Sequence, residues 1–193
     1  IEDATEKGKY HPRISGQHTY SYRALSEYEK WCYDRLYNDF FYRRHNEFWY
    51  GKAMWKLPPL LDSNSMLTCA EDLGMIPDCV PAVMDELQIL ALEIQRMPKD
   101  PKVEFGNTWS YPYYSVCTTS THDMPGIRAW WESDKAMSQR FYNNVLHEGG
   151  EAPYFAEPWI CSKILDLHLN SPAMLCVLPL QDWLSIDGSL RRK

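Results

Sequence analysis

The sequence lacks several features that would assign it to a class at once. Its 193 residues contain no run of 18 apolar residues, so we predict no segment that crosses a membrane. It has no long basic stretch, and 20 basic residues against 26 acidic ones leave a formal net charge of −6. Because surfaces that bind nucleic acids are basic, this balance argues against a nucleic acid as the partner.

The cysteines and histidines lack the spacing of a metal site. None of the six cysteines belongs to a C-x-x-C pair, and no two of the six histidines are close enough in sequence to form a zinc motif. We therefore predict no metal ion. Most of the cysteines lie in apolar runs, which predicts buried free thiols.

The ends of the sequence also lack familiar features. The chain begins at Ile1 instead of Met, no signal peptide follows, and it stops at Lys193 without an obvious closing helix. We expect an excerpt that is truncated at both ends.

Apolar and aromatic residues, in contrast, are plentiful. Hydrophobic residues make up 45% of the sequence and aromatic residues 14%. Such a composition can offset the entropy lost on folding, and the length allows one domain with a buried core or part of a larger domain. A disordered chain is therefore excluded.

The first 60 residues predict a helical region. Residues 1–21 are polar and rich in turn formers, whereas apolar residues between Tyr22 and Lys56 recur at spacings of three and four. Because this stretch exceeds the usual length of a helix, we predict two helices. The interruption is expected at His45–Asn46 and the end of the second helix at Pro58–Pro59.

The remaining residues predict alternating strands and helices of an α/β fold. The predicted strands cover residues 66–70, 90–96, 114–119 and 173–178, and the predicted helices cover residues 81–87, 126–146 and 157–168. Four strands separated by helical connections indicate a parallel sheet. An open doubly wound sheet and part of a (β/α)₈ barrel both fit this pattern, and in both the functional groups follow the carboxyl ends of the strands.

Two of the predicted strands are followed by carboxylates. Glu71 follows the first strand and Asp123 the third, so both emerge at one edge of the sheet, where Arg96 and Asp182 are also expected. Paired carboxylates at such an edge can cleave glycosidic bonds, one as an acid and the other as a charged stabiliser. The alternative is that the acidic turns only cap helices, and that His122 is a structural hydrogen-bonding residue.

Several ordered motifs resemble the 4-α-glucanotransferases, also called amylomaltases or disproportionating enzymes. They are Cys-Ala-Glu-Asp-Leu-Gly-Met-Ile-Pro at 69–77, Glu-Phe-Gly at 104–106, Ser-Thr-His-Asp at 120–123 and Leu-Pro-Leu-Gln-Asp-Trp at 178–183. The resemblance covers nearly the whole chain and is closest to the long-chain subgroup. It implies the C-terminal half of a (β/α)₈ TIM barrel, with residues 1–60 as a helical insertion region and 61–193 as the last four βα units.

The resemblance also implies a chemistry. In this family an aspartate attacks the anomeric carbon, a glutamic acid protonates the leaving oxygen, and a sugar hydroxyl resolves the covalent intermediate with retention of configuration. Glu71 matches the acid, Asp123 matches the carboxylate that stabilises the transition state, and His122 matches a residue that contacts the sugar. The nucleophile belongs to an Arg-x-Asp-His-type motif that is absent from residues 1–70. We therefore expect this chain to be inactive by itself.

The implied function is the transfer of 1,4-α-glucan segments to glucose or to another 1,4-α-glucan, in maltose, starch or glycogen metabolism. The partners would be a maltodextrin donor and a sugar acceptor, with no cofactor, no nucleic acid and no membrane. The resemblance and the free thiols indicate a cytoplasmic protein. Three alternatives stay open, namely an α-glucan hydrolase of the same clan, a noncatalytic glucan-binding fragment, and an unrelated α/β domain whose acidic turns are caps.

Overall fold

A computed structural model of the chain describes residues 1–74 and 76–190. The contacts divide these residues into two compact units. The first comprises Ile1–Ser65 with residues 76–83, and the second comprises Met66–Gly74 with residues 84–190. We describe each unit by itself.

The helices and strands follow one another in a mixed order. They are α1 (Tyr20–Arg23), α2 (Glu27–Asn38), α3 (His45–Leu61), α4 (Cys79–Glu86), β1 (Ala91–Ile94), β2 (Ser115–Thr118), α5 (Ile127–Trp131), α6 (Lys135–Asn144), α7 (Pro158–Leu169), β3 (Leu175–Cys176) and α8 (Leu180–Leu184). No helix among the described residues combines the length and the apolar character needed to cross a membrane.

The first unit is helical, but its long helices are not separated as predicted. The interruption expected at His45–Asn46 is wrong, because a π-helical segment at Asp39–Arg44 joins α2 directly to α3. Asn46 remains helical because its side-chain amide donates a 2.9 Å hydrogen bond to the carbonyl of Tyr42, one turn earlier.

The end of α3 also differs from the prediction. The helix does not stop at Pro58–Pro59 but continues to Leu61. The prolines remove two amide donors, yet the N–H of Asp62 donates to the carbonyl of Pro58 at 2.9 Å and closes one more turn beyond them.

The second unit contains the predicted parallel sheet. The strand order is β1-β2-β3, with Ala91 opposite Ser115 and Cys117 opposite Cys176. The strand predicted over residues 66–70 is reduced to a single parallel bridge between Cys69 and Leu90. Met66 and Leu67, at the start of the predicted strand, are exposed.

The core of the second unit lies among α5, α6 and α7. Trp131, Phe141 and Ile160 are fully buried there. The single helix predicted over residues 126–146 is wrong, because Asp134 interrupts it and caps α6, accepting hydrogen bonds from the amides of Ala136 and Met137.

The cysteines only partly follow the prediction of buried thiols. All six are free, but only Cys117 and Cys161 are buried, and Cys69 is exposed. Cys69 is exposed because the segment that carries it pairs with β1 at a single bridge and nothing covers it as a full strand would be covered.

Candidate active site at the end of the parallel sheet

The predicted site residues follow two different segments, an isolated parallel bridge for Glu71 and the strand β2 for His122 and Asp123. Glu71 comes shortly after the Cys69–Leu90 bridge and is exposed, while His122 and Asp123 follow β2. The imidazole Nε2 of His122 lies 3.1 Å from Oδ2 of Asp123, and the two side chains are 84% and 73% exposed. Within the described residues, no hydrogen bond or ion pair joins Glu71 to either of them. The structure thus places His122 and Asp123 in contact and leaves Glu71 exposed.

The turn that carries Glu71 is anchored by its neighbour, Asp72. This carboxylate is buried, with Oδ1 accepting a 2.9 Å hydrogen bond from the amide of Leu92 and Oδ2 lying 2.6 Å from Nζ of Lys99. Lys99 also lies 2.7 Å from Oε1 of Glu93. Asp72 therefore binds to β1 and does not serve as the helix cap that was the alternative for this turn.

The segment that carries His122 and Asp123 is held at both ends by Asp182. The hydroxyls of Thr119 and Ser120 donate to Oδ2 of Asp182 at 2.6 and 2.9 Å. The amide of Ile127 donates to Oδ1 at 2.8 Å. Asp182 is only 1% exposed, so all three hydrogen bonds are shielded from water.

Arg96 contacts the same segment from the end of β1. Its Nε and Nη2 donate to the carbonyl of Thr119 at 3.0 and 2.5 Å, and Nη2 also donates to the carbonyl of Pro125 at 2.9 Å. The guanidinium lies 4.8 Å from the ring centroid of Trp130, a cation–π distance. Burial lowers the pKa of Arg96 to about 10, against the opposing effect of the Asp182 charge, so the group stays charged at neutral pH.

The sequence indicated some of these residues and missed others. The strand pattern placed Arg96 and Asp182 at this edge but assigned them no role, and it gave no indication of Lys99. No spacing marks Lys99, because the loop after β1 determines where its side chain lies. Across residues 1–74 and 76–190, no group of three or more His, Cys, Asp or Glu side chains is arranged to hold a metal ion.

Comparison with known sequences gives a consistent result. Residues 20–192 match the family model described as 4-alpha-glucanotransferase. The chain is 41% identical to the 4-alpha-glucanotransferase DPE2 of Oryza sativa subsp. japonica over 186 residues, 96% of this chain and 20% of the rice protein. It is 32% identical to the 4-alpha-glucanotransferase of Chlamydia pneumoniae over 139 residues, 71% of this chain and 26% of that protein.

A solved structure shares the fold. The chain superposes on an amylomaltase from Streptococcus agalactiae, solved in complex with acarbose, with a TM-score of 0.54 and 16% identity. The match covers 68% of this chain and 26% of that one. The chain therefore spans about a fifth to a quarter of the length of these relatives. Because the family model covers nearly the whole chain, this chain belongs to the 4-alpha-glucanotransferase family.

Proposed function

We propose that the protein containing this chain transfers 1,4-α-glucan segments from a maltodextrin donor to glucose or to another 1,4-α-glucan. One observation carries the proposal: in a chain of this family, Glu71 follows a parallel bridge next to β1 and Asp123 follows the neighbouring parallel strand β2. The names of the rice and chlamydial relatives support the transfer activity, and the acarbose bound to the streptococcal amylomaltase supports a glucan-like ligand.

Each of the three residues has a proposed role. Glu71 protonates the departing glycosidic oxygen and later removes the proton from the acceptor hydroxyl, a contribution of about 10²–10⁴-fold in rate for general acid–base catalysis. Asp123 stabilises the positive charge that develops on the sugar ring. His122, in contact with Asp123, donates a hydrogen bond to the same sugar.

We further propose that the chain forms the C-terminal half of a (β/α)₈ barrel. Residues 1–60 are the helical insertion region and residues 61–193 the last four βα units. The parallel pairing of β1, β2 and β3 supports this arrangement, as does the fold shared with an amylomaltase. The nucleophilic aspartate is then supplied by another part of the protein, and the isolated chain is inactive. The free cysteines support a cytoplasmic location.

The experiment that tests this function uses the complete reading frame that encodes the chain. The purified protein is incubated with maltotriose, and the sugars are separated by chromatography. We expect a ladder of longer maltodextrins together with glucose. The Glu71→Gln variant should form it at least about 100-fold more slowly, whereas Glu151→Gln, which removes an exposed carboxylate between α6 and α7, should match the wild type.

Other outcomes assign other functions. Maltose and glucose without longer products would mean that water accepts the glucosyl unit and that the protein is a hydrolase. No turnover, combined with binding of maltotriose, would mean a noncatalytic glucan-binding protein. A Glu71→Gln variant as active as the wild type would remove Glu71 from the mechanism.

A further inference from the structure

The residues from Thr119 to Ile127 form the connection between β2 and α5, and they carry both His122 and Asp123. We name this connection the 119–127 segment. Its middle makes local hydrogen bonds, in which the amide of Asp123 donates to the hydroxyl of Thr121 at 3.3 Å and the amide of Met124 donates to the carbonyl of Thr121 at 3.2 Å. The geometry of the middle therefore depends on how the two ends are held.

Two side chains from other elements hold both of these ends. Asp182 on α8 binds Thr119 and Ser120 at the beginning of the segment and Ile127 at its end. Arg96 after β1 binds the carbonyl of Thr119 at the beginning and the carbonyl of Pro125 near the end. One residue supplies a negative acceptor and the other a positive donor, so each satisfies polar groups that the other cannot.

The contrast in exposure shows what this arrangement achieves. Asp182 and Ser120 are 1% and 2% exposed, whereas the side chain of Asp123 is 73% exposed. The ends of the segment are thus fixed inside the protein while the carboxylate in its middle faces outwards. Hydrogen bonds to charged groups are stronger than those between neutral groups, and these are shielded from water, so the ends are held firmly.

We propose that Arg96 and Asp182 are positioning residues, which clamp the 119–127 segment so that Asp123 meets the sugar ring in the geometry of the transition state. The proposal rests on the proposed function, since it presupposes the role of Asp123. A charge that is already oriented stabilises a transition state without reorganising, and a displacement of 1 Å can reduce the rate by about 100-fold.

The decisive variant is Asp182→Asn in the complete protein, because an amide keeps the size of the side chain but removes its charge and one acceptor. We expect kcat for transfer between maltotriose molecules to fall about 30- to 100-fold, with KM changed less than about threefold. Arg96→Lys keeps the charge and loses the two-pronged donor geometry, and it should lower kcat in the same way. Asp187→Asn is the control, since that exposed carboxylate lies outside the 119–127 segment and accepts hydrogen bonds from the amide and hydroxyl of Ser189.

A second measurement separates positioning from general loss of structure. Hydrogen exchange should become at least about tenfold faster at the amides of residues 120–124 in Asp182→Asn, with the amides of α7 unchanged. Equal acceleration in both places, or kcat and exchange that match the wild type, would overturn the proposal. A wild-type protein without transferase activity would contradict the proposed function instead, and the exchange data would still decide whether the clamp orders the segment.

Discussion

The ammonium nitrogen of Lys99 lies 2.6 Å from Oδ2 of Asp72 and bridges this carboxylate to Glu93 on β1. The other carboxylate oxygen of Asp72 binds the amide of Leu92. Both oxygens of a buried carboxylate are therefore satisfied directly beside Glu71. A buried charge that keeps only part of its partners is costly, so the turn depends on Lys99.

Replacing Lys99 with methionine should reveal this dependence. Lys99→Met leaves the negative charge of Asp72 uncompensated, and we expect the free energy of opening at the β1 amides to fall by about 1–3 kcal/mol. Hydrogen exchange of these amides measures the change. Lys102→Met, an exposed change in the same loop, should stay within about 0.5 kcal/mol. Equal exchange rates of the β1 amides in the two variants would show that Lys99 does not stabilise the turn.

Gly126 should not tolerate a side chain, because Asp182 approaches it closely. A Cβ at Gly126 would lie 2.8 Å from Oδ1 of Asp182, whose position is fixed by three hydrogen bonds. We expect Gly126→Ala to lower the midpoint of thermal unfolding, corresponding to a loss of about 1–3 kcal/mol. Gly149 has no atom within 4 Å of its Cβ position, so Gly149→Ala should leave the midpoint almost unchanged. Similar midpoints for both variants would contradict the close approach.

The buried imidazole of His168 should make stability depend on pH. It is 1% exposed, and its Nδ1–H donates to the carbonyl of Ile164 at 2.8 Å. Burial lowers its pKa from the ordinary value of 6.5. Below about pH 6.5 the imidazole of His168 binds a proton more readily in the unfolded chain than in the folded chain. The contribution of His168 to stability, which is fully present above about pH 6.5, is therefore lost as the pH falls.

A comparison of variants isolates this contribution. The difference in unfolding free energy between the wild type and His168→Gln should narrow as the pH is lowered from about 7.5 to 5. Urea denaturation at several pH values measures it. His18→Gln provides the matched control, because it makes the same substitution at an exposed imidazole. A difference for His168→Gln that widens in acid would mean that the folded state prefers the charged imidazole.

The cysteines should differ sharply in reactivity. Burial, together with the neighbouring thiol of Cys117, raises the pKa of Cys176 to about 12, whereas Cys69 is exposed. Because the thiolate is the nucleophile, iodoacetamide at about pH 8 should alkylate Cys69 first and Cys176 at least about 100-fold more slowly. Mass spectrometry of digested samples follows both sites. The Cys69→Ser variant should lack the fast phase, and rapid labelling of Cys176 would contradict its raised pKa.

The success of prediction differs between elements for physical reasons. The segments that became β1 and β2 were both predicted as strands. β2 is buried throughout, whereas in β1 only Ile94 is fully buried and the other three residues are half-buried. The segment at Cys69 was predicted as a strand as well, but only one bridge forms there. Local composition cannot show how many partners a strand finds.

The helices show a similar limit. The spacing of apolar residues revealed the helices around Tyr28 and Trp49, but the π-helical hydrogen bonds at Asp39–Arg44 leave no mark in such spacing. The apolar periodicity of residues 126–146 continues through Asp134, so it conceals the break at which this residue caps α6. The hydrogen bonds that Arg96 and Asp182 make to the 119–127 segment could not be predicted from the sequence, since they join three separated parts of the chain.

The hydrogen bond from Thr119 to Asp182 spans 63 residues of sequence. At synthesis rates of about 5–20 residues per second, Asp182 follows Thr119 out of the ribosome by roughly 3–13 s. During that interval β2 and the residues that carry Asp123 exist without one of the two side chains that hold them. The segment that carries Asp123 therefore gains its hydrogen bonds to Asp182 only after α8 has been synthesised, several seconds after β2.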